Sequence, residues 1–426
     1  MTGWTSDPAD RAVVSPKSGF ARPTAIRYGR PTFSAPQRDA MHTITTTEDL
    51  RAFCERAQGQ PYVTVDTEFL RERTYYSKLC LIQLALPSRG EDDAVLVDPI
   101  EGAEMSLEPL MELFRDTSVV KVFHAARQDL EIFYVDHGVI PDPLFDTQVA
   151  AMVCGFGEQV GYETLVKRIA KAQLDKSSRF TDWSRRPLSD AQKTYALADV
   201  THLRDIYEYL DRRLRDTGRH RWVVEEIETL TDPATYTTRP EDAWQRIKTR
   251  SSSPRFLALV QELAQFRESY AQERNIPRNR VFKDDALSEL ASTKPQTMQD
   301  LGRSRLLLRE ARKGDIAEGI LAAVKRGMDR PKDQLPQAEQ GRDRQHNNPA
   351  LADLLRVLLK AKTETSGVAP KLIASASDLD AIACGDRDLP AMKGWRYEVF
   401  GEDAMKLCEG RIALSAKGRT LTVIDI

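Results

Sequence analysis

The chain has 426 residues, of which 41% are hydrophobic and 30% charged, with 22 Gly and 22 Pro and a formal net charge of −2. That length suggests two to four domains, and the composition excludes a collagen-like, rod-like or wholly disordered chain; no apolar run approaches the roughly 18–20 residues of a membrane span. The charge is uneven, with a net +3 over residues 1–40, −11 over 41–150, +1 over 151–240, +5 over 241–350 and 0 over 351–426. An acidic block followed by a mildly basic one is unlike a simple nucleic-acid binder, although chance asymmetry would also produce it.

In chain order, residues 1–40 are rich in Pro, Ser, Thr, Ala and Arg without hydrophobic periodicity, which predicts a disordered extension. They contain no apolar core of a secretory signal, and Met41 is an alternative start. Thr47–Gln58 reads as a helix with a capping-type start. Pro61–Phe69, Lys78–Leu86, Ala94–Asp98 and Val119–Phe123 are short runs dense in Val, Ile and Leu and read as strands. Ala125–Tyr134, Thr147–Cys154, Tyr162–Ala170 and Ser189–Arg215 have helical texture. The order predicts an α/β domain with a mixed sheet over 41–230. A Pro- and Thr-rich linker follows over 231–243, then a helical domain over 244–330 with Phe256, Leu259, Val260, Leu263 and Phe266 at i, i+3, i+4 spacing. Residues 331–349 offer almost nothing to bury and form a second linker, and 350–426 form a smaller closing unit. The five cysteines, Cys54, Cys80, Cys154, Cys384 and Cys408, are scattered and form no C-x-x-C. They argue against a disulfide framework or zinc site and for a reducing, cytoplasmic setting.

Asp66 and Glu68 stand at i and i+2 of an apolar strand, so both carboxylates share one face. Two neighbouring anions raise each other's pKa, and a hard divalent cation such as Mg²⁺ or Mn²⁺ between them relieves this. Taken alone, D-x-E is more often a pair of exposed strand-end acids. Asp129 follows a strand-to-helix turn, where a carboxylate suits the first helical turns. Tyr195 and Asp199 lie at i and i+4 on one helix face.

In that order and spacing, the three elements resemble the motifs of the DEDD exonuclease superfamily, with Tyr195 marking its DEDDy branch. The surrounding words VDTEFLRERTYYSKLCLIQ (65–83), FHAARQDLEIF (123–133), FDTQVAA (145–151) and YALADVTHL (195–203) are similar to the ribonuclease D family. AWQRIK (243–248) and NIPRNRVFKDDALSELA (275–291) resemble an HRDC domain, and 350–426 matches the position of a second HRDC-like unit.

The resemblance implies a ribonuclease H-like mixed-sheet exonuclease domain followed by two all-α HRDC-like domains. It implies a 3′→5′ exoribonuclease acting in tRNA 3′ maturation on precursors with 3′ trailers, and releasing nucleoside 5′-monophosphates. Two divalent ions, Mg²⁺ or Mn²⁺, would be held by Asp66, Glu68, Asp129 and Asp199, with Tyr195 orienting the attacking water. No nucleotide cofactor and no membrane are implied, and nothing requires more than a monomer. His124 and Gln128 beside the second motif favour the ribonuclease branch over a DNA exonuclease, which is the enzymatic alternative. A non-catalytic HRDC-based scaffold is the alternative from another class. Candidate phosphate contacts are Arg71, Arg73 and Lys78, with Arg278, Arg280 and Lys283 in the HRDC-like region; each is otherwise a solvated cation. Phe69 either stacks on a terminal base or belongs to the core, and His124 either touches RNA or is a hydrogen-bonded support.

Overall fold

The computed structural model describes residues 42–426 except 176, 250, 337–347 and 419. The expectations for residues 1–40 and Met41, and most of the second linker, lie outside the described residues.

The first region runs β1 (Thr43–Ile44), α1 (Thr47–Ala57), β2 (Tyr62–Leu70), β3 (Lys78–Ala85), β4 (Ala94–Val97), α2 (Glu108–Arg115), β5 (Val120–Phe123), α3 (Arg127–His137), β6 (Leu144–Asp146) and α4 (Thr147–Val153). It continues through α5 (Tyr162–Leu165), α6 (Asp190–Asp216) and α7 (His220–Thr231). The six strands form one mixed sheet in the order β1-β4-β3-β2-β5-β6. β2 is antiparallel to β3 and parallel to β5. Alternation along β2 decides which side chains go where. Val63 and Val65 face the larger core with Ile82 and Leu84, whereas Thr64, Asp66 and Glu68 face α6. The Thr64 hydroxyl donates to the carbonyl of Val200 at 2.9 Å, fixing α6 across the centre of the sheet. A small second core of Leu81, Leu96, Trp183, Leu188 and Ala196 fills the same side.

Two expected helices hold with local changes, one in its winding and one in its first residue. The helix expected over 162–170 is one α turn followed by a wide turn over Val166–Ala170, closed by Lys171 in the left-handed region. The helix expected from Ala125 begins at Arg127, because Ala125 itself has φ 58°. The short strands β1 and β6 and the helices α2 and α7 were not among the expected elements.

The segment expected as a linker over 231–243 carries short helical turns at Pro233–Thr235 and Pro240–Arg246. Tyr236 is buried there, 5.9 Å from the ring of Tyr134. Beyond it come α8 (Pro254–Glu273), α9 (Arg278–Val281), α10 (Asp284–Thr293), α11 (Met298–Gly302) and α12 (Gly314–Asp329), around a core that includes Leu259, Leu263 and Phe282. This helical region grips the loop between β2 and β3. Asn275 Oδ1 accepts the backbone N–H groups of Tyr75 and Tyr76, each at 3.0 Å. Buried Glu268 accepts from the Tyr75 hydroxyl and pairs with Arg278 Nε at 2.8 Å.

The closing unit comprises α13 (Pro349–Ser366), α14 (Pro370–Ile373), α15 (Ala376–Ala383), α16 (Gly394–Arg396), α17 (Glu402–Cys408), β7 (Ile412–Lys417) and β8 (Thr420–Asp425). It packs on α7 through stacked rings of Trp222 and Trp395, 4.8 Å apart, and through Arg396 and the Trp395 indole on Glu226. The expectation of an all-α closing unit is corrected by β7 and β8, which pair antiparallel. The alternating sequence IALSAK before Gly418 favours a hairpin over a helix.

Candidate active site

Three elements deliver the four carboxylates. β2 carries Asp66 and Glu68 on the face under α6, both half-buried, at the end where its pairing with β3 slips between Glu68 and Phe69. α3 carries Asp129, which is buried and accepts a hydrogen bond from the Thr67 hydroxyl. α6 carries Tyr195 and Asp199, and it starts with a capping box in which Ser189 and Gln192 satisfy each other's termini.

The supports of these elements explain why they hold position. Asp146 at the end of β6 accepts four backbone N–H groups, from Ala125 at 3.1 Å, Ala126 at 2.9 Å, Gln148 at 2.7 Å and Val149 at 3.3 Å. It thereby holds the tight turn that launches α3 toward the cleft. Tyr162 donates to the carbonyls of Ala198 at 3.0 Å and Asp199 at 2.7 Å, pinning α6 where Asp199 projects. The ring of His124 lies 5.4 Å from that of Tyr162, and its Nδ1 is 3.0 Å from the Thr147 hydroxyl.

Asp66, His124, Tyr162, Arg179, Tyr195 and Asp199 line one cleft of about 290 Å³. Its electrostatics are those of crowded anions. Burial raises the pKa of Asp66 well above the usual carboxylate range, and Asp199, Asp129 and Glu68 raise it further. Burial, with Asp199 and Asp129 nearby, pushes Glu68 up to about 9. Burial also pushes Asp129 and Asp199 up to about 7 each, with the Thr67 and Tyr195 hydroxyls pulling them back. The Tyr195 phenol is itself pushed up, first by burial and then by Asp199, so it stays neutral. Burial lowers the pKa of His124, which favours its neutral form.

The donor set suits a hard divalent cation, being all oxygen and rich in anionic charge that burial penalises. Among the described residues no three His, Cys, Asp or Glu groups close on a single ion position.

The candidate substrate contacts fall into two groups. Arg71 forms a two-pronged pair with Glu131 at 2.6 and 3.1 Å, and Arg278 is tied to Glu268, so both are occupied within the protein. Phe69 is half-buried on β2, and Arg73, Arg280 and Lys283 are exposed. Tyr162 and Arg179 were missing from the candidates. Neither belongs to a motif, and only the folded chain brings them to the cleft.

A family model described as 3′–5′ exonuclease matches residues 41–215, and a model for the HRDC domain matches 256–324. A ribonuclease D of Jannaschia sp. (strain CCS1) is 66% identical over 386 residues, which is 90% of this chain and 100% of the relative. A ribonuclease D of Granulibacter bethesdensis is 46% identical, covering 93% of this chain and 99% of the relative. The crystal structure of Escherichia coli RNase D, described as an exoribonuclease involved in structured RNA processing, superposes with a TM-score of 0.76 at 30% identity. That match covers 87% of this chain and 99% of the other.

Proposed function

This chain belongs to the ribonuclease D family and is a 3′→5′ exoribonuclease, and from that premise we propose that it trims the 3′ trailers of tRNA precursors in the cytoplasm, as a monomer. Asp66, Glu68, Asp129, Tyr195 and Asp199 form its catalytic site, within an exonuclease domain over 41–230 that is followed by HRDC-like domains. The observation that carries this reading is the gathering of four carboxylates from three elements around Asp66, which with Asp199 lines the cleft, each with its pKa raised. A protein gains no stability from massing unpaired acids in this way, whereas a phosphoryl-transfer site needs them.

The four carboxylates would hold two divalent cations, Mg²⁺ or Mn²⁺, and no nucleotide cofactor is needed. Such ions supply charge stabilisation at the phosphorus and a lowered pKa for bound water. The chain's own residues do the positioning. Tyr195, one helical turn from Asp199 and kept neutral by burial, holds the attacking water through its hydroxyl. Tyr162 keeps the α6 backbone from shifting as Asp199 is loaded. Attack of water at phosphorus breaks the bond to the 3′ oxygen, leaving a nucleoside 5′-monophosphate and an RNA one residue shorter with a free 3′ hydroxyl.

The test is incubation with a precursor tRNA carrying a 3′ trailer, with and without EDTA, followed by sizing of the products. Stepwise shortening to the mature end that EDTA stops is the expected result. A trailer left intact while unstructured RNA is degraded would refute the tRNA assignment. Labelled single strands of RNA and DNA in competition should show preference for RNA. Tyr195→Phe should slow turnover less than Asp66→Ala, and the reverse order would refute the orienting role of Tyr195.

A further inference from the structure

The turn from Ser178 to Thr181 sits at the mouth of the catalytic cleft and is firmly anchored. Ser178 is buried, and its carbonyl accepts from the backbone N–H of Thr181 at 3.2 Å and from the Thr181 hydroxyl at 2.8 Å. The Thr181 hydroxyl in turn accepts from Gln192 Nε2 at 3.2 Å, one helical turn ahead of Tyr195. Trp183 follows, buried with its ring 6.1 Å from that of Tyr195. Arg186 then clamps Asp98 with two hydrogen bonds, of 2.5 and 2.6 Å.

At the tip of this anchored turn, Phe180 is 91% exposed. Its neighbour Arg179 lines the cleft beside Tyr195 and Asp199. The Arg179 guanidinium lies over the Phe180 ring, 5.3 Å from its centre, and is near enough to Asp199 to lower its pKa without forming a direct ion pair. A flexible loop can leave an aromatic ring in water incidentally. One exposed ring is ordinary by itself, but this one is carried by a backbone tied at several points and stands beside a cation that lines the cleft. An exposed aromatic ring and a guanidinium with no ion pair within 4 Å among the described residues, both beside an acidic cleft that processes strand ends, match a base and a phosphate of a single-stranded polynucleotide.

We propose that Arg179 and Phe180 form a substrate subsite for the RNA strand leading into the cleft. Phe180 stacks on a base upstream of the scissile linkage, and Arg179 holds a phosphate at the mouth. The inference rests on the placement of the active site at Asp66 and Asp199. It assigns sequence-tolerant binding to a turn that contains no motif carboxylate, and it places the cation needed near the phosphate on the same domain as the acids.

The experiment uses the full-length protein and single-stranded RNA carrying 2-aminopurine near its 3′ end. Phe180→Ala should raise KM by about five- to tenfold, by loss of one stacked base, with kcat falling by less than KM rises. Phe180→Trp should restore KM and should keep the quenching of 2-aminopurine that Phe180→Ala loses. Arg179→Gln should lower kcat/KM and flatten its dependence on log salt by roughly 0.7, the contribution of one phosphate contact to a single strand. The subsite is overturned if Phe180→Ala keeps both the wild-type KM and the quenching, or if Phe180→Trp is no better than Phe180→Ala. Asp66→Asn serves as the separate control. Retained turnover there would refute the active-site placement itself, whatever the Phe180 variants show.

Discussion

Asp98 and Asp146 are more deeply buried than the four cleft carboxylates, at 1% and 2% exposure, yet their surroundings are opposite in kind. Both oxygens of Asp98 are taken by Arg186, and Oδ1 also accepts the backbone N–H groups of Ile100 and Glu101 at 3.0 Å. Asp146 takes four backbone N–H groups. In the cleft region, by contrast, Asp66 and Glu68 face chiefly other carboxylates, Asp199 has the Tyr195 hydroxyl and the Arg179 charge nearby, and Asp129 has the Thr67 hydroxyl. The fully partnered acids hold loops in place and require nothing further to be stable. The massed acids repel one another when ionised, and a proton or a bound cation relieves that repulsion. Within one domain, the difference between partnered and massed carboxylates therefore separates scaffold from the proposed chemistry.

The comparison breaks most sharply at Asp66. Asp66→Asn should reduce kcat/KM by about 10³-fold, or roughly 4 kcal/mol of transition-state stabilisation. The same change should raise the Tm of the metal-free protein, because it removes repulsion. Asp98→Ala should do the reverse, costing about 3 kcal/mol of stability by leaving the partly buried Arg186 charge without its carboxylate. Chemical denaturation of both variants, alongside their kinetics, checks the pair. If Asp66→Asn were the more destabilising of the two, the division would collapse.

Titration sharpens the same contrast. The folded pKa values of Glu68, at about 9, and of Asp129 and Asp199, at about 7, lie above those of the unfolded chain. The stability they contribute is therefore present at low pH and lost as pH rises through those values. In EDTA, Tm should fall between about pH 5 and pH 8, and Mg²⁺ should restore it most at the alkaline end. Lys121, which burial pulls down to about 8, works in the opposite direction above that pH, so the fall should flatten there. A metal-free Tm that rises across the window, with no Mg²⁺ increment, would contradict the massed-acid reading.

Much of this was legible in the sequence because it follows from period and type. The apolar density of VVKVF and KLCLIQLAL marked strands, and the i, i+2 spacing of Asp66 and Glu68 put both acids on one face of β2. What escaped has physical reasons. Thr43–Ile44 and Leu144–Asp146 are too short for a periodic signal, and the sheet alone makes them strands. Ile412–Asp425 carried a usable alternation around Gly418 but was absorbed into an expected helical unit. Tyr162, Arg179 and Phe180 belong to no spacing pattern, and their relation to Asp199 exists only after α6 crosses the sheet. Arg71 and Arg278 looked like free cations because a sequence does not show that Glu131 and Glu268 will meet them.

The smallest expected effect lies where the helical region meets the catalytic strand. Asn275 has φ 47° and accepts two backbone N–H groups of the loop that follows Glu68 and Phe69. Asn tolerates that left-handed conformation and Ala does not, so Asn275→Ala combines backbone strain with the loss of two hydrogen bonds, about 1–2 kcal/mol in total. Asn275→Gly removes the strain but not the loss, so the difference between the two variants isolates the strain, and Asn275→Gly against the wild type reports the hydrogen bonds. Both variants should speed hydrogen exchange at the Tyr75 and Tyr76 amides. If this grip helps to set the end of β2, both should also lower kcat by a few-fold with little change in KM, since Asn275 is not among the residues that line the cleft. Faster exchange with unchanged kcat would show that the helical region stabilises the loop without steadying Glu68. Unchanged exchange would mean that the contact holds nothing in solution.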